Sequence, residues 1–302
     1  MARRLVAIVG PTASGKTALA TELAQRLAGE IINADSRQIY RGMDVGTAKA
    51  SAEEQRAARH WLIDVAAPDE PFTLAAFLDL ANAATDDIWS RGRLPIVAGG
   101  TGQYVWALLE GWRVPRVPPD PELRAGLEAI AESEGRDALA SMLREIDPAS
   151  AGAIDARNVR RVIRAIEVTR ATGQAFSVWQ QKDPKQNVAV IGLRKERGAL
   201  YRRIDTRVDE MIARGLVAEV QGLITAGFGC DLPAMSGIGY RQICGHLRGD
   251  YMLAEAVARM KTETHRLSRM QHTWFRDNDT RIHWLDADAP DLAEQALAPA
   301  LQ

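Results

Sequence analysis

Cysteine is nearly absent: the 302-residue chain has two, Cys230 and Cys244, with no C-x-x-C pair and no histidine pair nearby. That spacing argues against a disulfide framework and a structural zinc site, and makes the cytoplasm the default compartment. Long apolar runs are missing too. No stretch reaches the roughly 18 residues of a membrane span, and Gly10-Pro11 breaks the first apolar run before a signal-peptide core could form. A soluble, untargeted protein with no membrane contact is expected. Net charge is only −1, from 38 basic and 39 acidic residues, so the chain as a whole lacks the basicity of a nucleic-acid binder. There is no G-x-G-x-x-G turn, which leaves a dinucleotide fold without support.

The composition is that of a folded protein, 46% hydrophobic and 25% charged. Its charge is unevenly spread. Residues 157–207 hold thirteen basic against four acidic side chains, and residues 259–276 hold five against one. Both segments are arginine-rich with helical spacing, and arginine suits bidentate contact with phosphate. The plainer reading is two solvated helix faces balanced by acidic neighbours.

Residues 4–9 form a short apolar run stopped by Gly-Pro, the pattern of a buried parallel strand. A helix is predicted over 16–27, with Leu19, Leu23 and Leu27 in one stripe. Further strands are predicted over 30–34, 61–65 and 94–98, with a helix over 73–90 between the last two. Four prolines over 114–121 require an extended connection. Helical periodicity then dominates over 121–133, 136–146 and 157–172. A strand over 187–193 interrupts it, helices follow over 198–226, 238–248 and 250–276, and a last strand is predicted over 282–285. The expected fold is α/β: a P-loop NTPase-like parallel sheet core covered by helices, from residues 1–113 and 187–302, with a mainly helical insertion domain over 114–186.

Gly10, Pro11, Thr12, Ala13, Ser14, Gly15, Lys16 and Thr17 match G-x-x-x-x-G-K-[ST], between a strand and a helix as the motif requires. Main-chain N–H groups of such a loop close around phosphate oxygens, Lys16 reaches the outer phosphate, and the Thr17 hydroxyl can ligate Mg²⁺. The acidic residue that usually ends a neighbouring strand in P-loop NTPases is missing. Asp64 lies within its predicted strand, and the 94–98 run ends in Gly99-Gly100-Thr101-Gly102. Thr101 can offer a hydroxyl or N–H to a phosphate. Asp35, following the second strand, falls at the carboxyl edge where ligands bind in open α/β sheets. It is a candidate general base, Mg²⁺ ligand or ribose partner, or a helix N-cap. Gln38 and Tyr40 are candidates to hydrogen-bond or stack on a base.

Taken together, GPTASGKT, DSRQIY, GMDVGTAK, GGTGQY, RRVIRAIEV, GIGYRQ and TWFR resemble the tRNA dimethylallyltransferases over about residues 5–276. That family moves an isopentenyl-type group onto the exocyclic amine of the adenosine 3′ of the anticodon. The resemblance implies dimethylallyl diphosphate as donor, cradled by Gly10 to Thr17, with the anticodon stem-loop of tRNA as acceptor. Asp35 would take the amine proton, Thr101 would contact the donor near the breaking bond, and Arg207 would bind diphosphate, unless it merely pairs with Asp205 or Asp209. tRNA contacts would come from Asp35, Ser36, Arg37 and Gln38, from Arg160, Arg161, Val162, Ile163 and Arg164 of the insertion, and from Gly237, Ile238, Gly239, Tyr240 and Arg241. Ala50, where proline is usual, and Gln103, where an apolar residue is common, depart from the pattern. No zinc finger follows Arg276, as in the bacterial form, which is expected to work as a cytoplasmic monomer. The alternatives are a P-loop kinase acting on a small metabolite and a non-catalytic, nucleotide-gated RNA-binding module.

Overall fold

The computed structural model describes residues 3–301, which divide into two compact units. One runs up to Leu109 and resumes at Lys185; the other is Glu110–Pro184.

In the larger unit, β1 (Leu5–Val9) is wholly buried and leads through the phosphate loop into α1 (Lys16–Arg26). Leu19 and Leu23 of α1 pack on the sheet with Ala20 and Ala24, as the spacing of four predicts. Next come β2 (Gly29–Asn33), α2 (Ala52–Ala57), β3 (His60–Trp61), α3 (Leu74–Ser90), β4 (Leu94–Ala98) and α4 (Gly102–Leu109). Ser51 and Glu54 close a capping box on α2, and the Thr73 hydroxyl caps α3. The strand expected over 61–65 is cut to two residues, because Leu62 and Asp64 take φ of 61° and 56°, left-handed values that no strand accommodates.

The smaller unit holds α5 (Pro121–Ser133), α6 (Arg136–Ile146), α7 (Pro148–Ala153) and α8 (Val159–Thr172). Asp120 and Asn158 cap α5 and α8. Its core joins Leu127, Leu139, Leu143, Ile154, Val162, Ile163 and Ile166. The proline stretch is extended, as expected, and belongs to this unit: Arg164 donates to the Val117 carbonyl at 3.0 Å.

The larger unit resumes with β5 (Val188–Arg194), α9 (Arg197–Ala213), α10 (Leu216–Thr225), α11 (Tyr240–Leu247), α12 (Leu253–Trp274), β6 (Ile282–Asp286) and α13 (Leu292–Leu301). The single helix expected over 198–226 is two helices, since Gly215 adopts φ 94° and the chain turns there. Six strands among the described residues form one parallel sheet, in the order β3-β2-β4-β1-β5-β6. The carboxyl ends of β1, β2 and β4 therefore lie together, and on them follow Gly10, Asp35 and Gly99.

Cys230 and Cys244 are joined in a disulfide, which overturns the expectation from their spacing. Pairing needs proximity in space, not a motif. The segment after α10 returns onto α11, and the two Cα atoms come to 5.9 Å, inside the range a disulfide spans.

Candidate active site

The phosphate loop closes between β1 and α1. Gly10 takes φ 139°, and a Cβ there would meet the Leu193 carbonyl oxygen at 2.6 Å, so only glycine fits beside β5. Along the carboxyl edge of the sheet lies a cleft of about 300 Å³, lined by Gly15, Lys16, Thr17, Asp35, Gly99 and Arg207, among others. Of the residues singled out from the sequence, Lys16, Thr17, Asp35 and Arg207 thus share one cavity with Thr12, Ala13, Gly15 and Gln38.

Lys16 folds its ammonium onto the Pro11 carbonyl at 2.7 Å. Burial takes its pKa from 10.5 down to about 8; Asp35 opposes that shift and Arg207 adds to it. Burial and neighbouring Arg203 likewise pull the Arg207 guanidinium downward. Arg207 does not form the salt bridges weighed for it, because Asp205 faces His265 and Asp209 holds Lys261. Arg203 and Arg214, which the sequence did not single out, line the same wall one turn before and two turns after it. The cavity is cationic where an anion would sit.

Asp35 is half-buried and caps no helix. Its Oδ1 accepts the Arg37 N–H at 2.9 Å, and its own N–H donates to Asn33 Oδ1 at 3.2 Å, so an Asx turn aims the carboxylate at the cleft. Thr101 stands beside the cleft and is not among its lining residues. Its Oγ1 accepts the Ser36 N–H at 3.0 Å and donates to Ser36 Oγ at 3.3 Å, tying the β4 loop to the Asp35 turn. Asp64, the acid of the strand expected over 61–65, is bound to Lys49 and lies outside this cleft.

Several expected tRNA contacts turn inward. Arg37 donates to the Pro233 and Ala234 carbonyls at 3.0 and 3.2 Å and to Ser236 Oγ at 3.3 Å. Gln38 donates to the Thr47 and Ala48 carbonyls at 3.2 and 3.3 Å. Tyr40 is 7% exposed and belongs to the core, so it is not a base-stacking platform. Tyr240 is 1% exposed and gives its hydroxyl to Glu219 at 2.6 Å. That carboxylate also accepts the N–H groups of Asp44, Val45 and Gly46, so Tyr240 fixes the loop that borders the cleft and cannot reach RNA. Gly237 and Gly239 are buried, Ile238 is half-buried, and exposed Arg241 is paired with Glu263.

In α8 the helix divides by face. Val162 and Ile163 enter the core and are corrected from RNA contacts to packing residues. Arg164 donates to buried Glu167 at 2.6 Å, whereas Arg160 and Arg161 stand exposed with no ion-pair partner among the described residues. Against burial, which would raise it, the hydrogen bonds from Arg124, the Asp120 N–H and Arg164 hold the Glu167 carboxyl down at about 2.

Gln271 was not visible in advance. Its Oε1 accepts the Thr12 N–H at 2.7 Å, and its Nε2 donates to the Gly100 carbonyl at 3.0 Å. The TWFR segment singled out from the sequence begins two residues after it.

A family profile described as IPP transferase matches residues 38–278. The tRNA dimethylallyltransferase of Roseiflexus sp. (strain RS-1) is 51% identical over 293 residues, 97% of this chain and 96% of that protein. That of Chloroflexus aurantiacus is 52% identical over 288 residues, covering 95% and 96%. Among solved structures, the full-length tRNA isopentenylpyrophosphate transferase of Bacillus halodurans superposes with a TM-score of 0.73 at 40% identity, covering 99% and 97% of the two chains. A eukaryotic dimethylallyltransferase acting on tRNA superposes with a TM-score of 0.82 at 27% identity, covering 98% of this chain and 77% of that one.

Proposed function

The chain belongs to the IPP transferase family and transfers an isopentenyl-type group to tRNA, and we propose that its donor is dimethylallyl diphosphate, bound in the cleft at the end of β1. The supporting observation is the meeting of a cationic phosphate loop and a carboxylate in one cavity. A kinase reading lacks an acid at the end of β4 for its metal, because β4 ends at Ala98 and runs into Gly99-Gly100.

An allylic diphosphate ionises once the charge developing on its leaving group is stabilised. The loop N–H groups, Lys16 and Arg207 supply fixed positive potential where that charge appears, with no rearrangement needed at the moment of reaction. Asp35 is the base for the adenine exocyclic amine next to the anticodon, whose delocalised lone pair makes proton removal during attack useful. Thr101 acts by holding the Asp35 turn beside the β4 loop. The target base leaves the stack to enter the site, as enzymes that modify bases require.

The residues fit Mg²⁺: the Thr17 hydroxyl lines the cleft beside the phosphate loop, and magnesium is commonly held by one or two protein oxygens together with substrate phosphates. Bound there, the ion would neutralise diphosphate charge. For the RNA, exposed Arg160 and Arg161, half-buried Ser36 and the surface around Arg241 remain the proposed contacts. No helix among the described residues is long and apolar enough to cross a membrane, and we place the enzyme in the cytoplasm as a monomer.

The test supplies purified protein with labelled dimethylallyl diphosphate, ATP and tRNA. Prenyl label on an adenosine beside the anticodon, without ATP consumption, is the expected result. ATP turnover with no prenylated nucleoside would overturn the reading.

A further inference from the structure

Gln271 lies in the last turn of α12, 7% exposed, with both ends of its amide engaged by main chain. Its partners fix its orientation. The Thr12 N–H can only donate and the Gly100 carbonyl can only accept, so Oε1 must face the phosphate loop and Nε2 the end of β4. No other side chain of that size offers an acceptor and a donor at this separation. Methionine offers neither and glutamate lacks the donor. The space is as specific as the bonds: a Cβ at Gly100 would meet Gln271 Nε2 at 2.3 Å, so the bare backbone there is what admits the amide.

We propose that Gln271 is a positioning residue, which sets the gap between the phosphate loop and the β4 loop and thereby the seat of the prenyl donor's diphosphate. The proposal rests on the donor site described above and concerns how that site is held. Gln271 does not line the cleft, while both segments it joins do, at Thr12 and at Gly100. The β4 loop is in turn bound to the Asp35 turn through Thr101 and Ser36. One amide therefore links the anion cradle, by two short steps, to the base opposite it.

The experiment compares wild-type enzyme with Gln271→Met, which keeps volume and loses both hydrogen bonds, and Gln271→Glu, which keeps the acceptor alone. Steady-state kinetics with dimethylallyl diphosphate and tRNA varied separately are paired with calorimetric titration of inorganic pyrophosphate. Leaving a buried N–H and carbonyl unpaired should raise the prenyl-donor KM and the pyrophosphate Kd by about tenfold or more, with tRNA KM within about twofold of wild type. A folded Gln271→Met or Gln271→Glu enzyme with wild-type donor KM overturns the proposal. So does a loss of activity that tracks only a fall in Tm, with both KM values unchanged. Should Gln271→Met fail to fold, Gln271→Glu decides alone. Wild-type protein that binds neither pyrophosphate nor the allylic diphosphate would instead overturn the donor-site reading.

Discussion

Lys16 gives the site a pH dependence of definite sign. Burial places its pKa at about 8, so it is charged below that value and neutral above it. Affinity for the diphosphate should be greatest below about pH 8 and fall as pH rises through it; prenyl-donor KM measured from neutral to alkaline pH checks this. Asp35→Ala should lower single-turnover prenyl transfer by about a hundredfold or more while leaving donor affinity close to wild type. An unchanged rate would remove Asp35 from the chemistry. Lys16, Thr17 and Asp35 were legible because their roles follow from neighbours in the chain: a glycine-rich loop of fixed spacing and a position just past a strand end. Arg37, Tyr240 and Gln271 were not. Arg37 is held by carbonyls almost 200 residues away, Tyr240 by Glu219, and Gln271 by Thr12 and Gly100, so their partners are set by tertiary folding that local spacing does not encode.

Among elements, the segment from Cys230 to Cys244 carries a prediction of its own. The bridge closes a loop with a sequence separation of 14, and it holds the 233–236 turn against Arg37. A closed loop of that length contributes about 3 kcal/mol by restricting the unfolded chain, so reduction or Cys230→Ser should lower Tm measurably by differential scanning calorimetry. Thiol counting by mass spectrometry on protein from reducing cytosol would show which state is present in the cell. On α8, Arg160→Glu with Arg161→Glu should weaken tRNA binding and flatten its dependence on log salt by about one unit per lost phosphate contact. An unchanged slope would move the RNA surface elsewhere. Strongly periodic elements such as α1, α3, α5 and α8 were legible from their apolar stripes and caps. The strand expected over 61–65 failed because an apolar run does not reveal the left-handed φ values at Leu62 and Asp64. Short helices such as α2, α4 and α7 span too few turns to show a period, and the break at Gly215 lay inside an otherwise continuous helical pattern.

For the molecule as a whole, acid bears on the smaller unit through a buried carboxylate. Glu167 is buried in the smaller one and held at about 2, against an ordinary value of 4.5. Its folded pKa is depressed, so the stability it contributes is present above about 4.5 and is lost as pH falls towards about 2. Hydrogen exchange should show residues 110–184 opening as pH drops through that interval, and Glu167→Gln should remove much of the dependence. The fold class was legible because strand and helix alternate before residue 110; the order of strands was not, since pairing partners lie far apart in the chain. That order has a consequence during synthesis. β1, at the centre of the sheet, waits for β5, and the phosphate loop waits for Arg207 on α9 and for Gln271 near the end of α12. At about 5–20 residues per second, roughly 10 to 50 s separate the appearance of the loop from that of its last support. A ribosome-bound nascent chain therefore exposes an unfinished nucleotide-like loop for most of its translation, and substrate can help only the released polypeptide to fold.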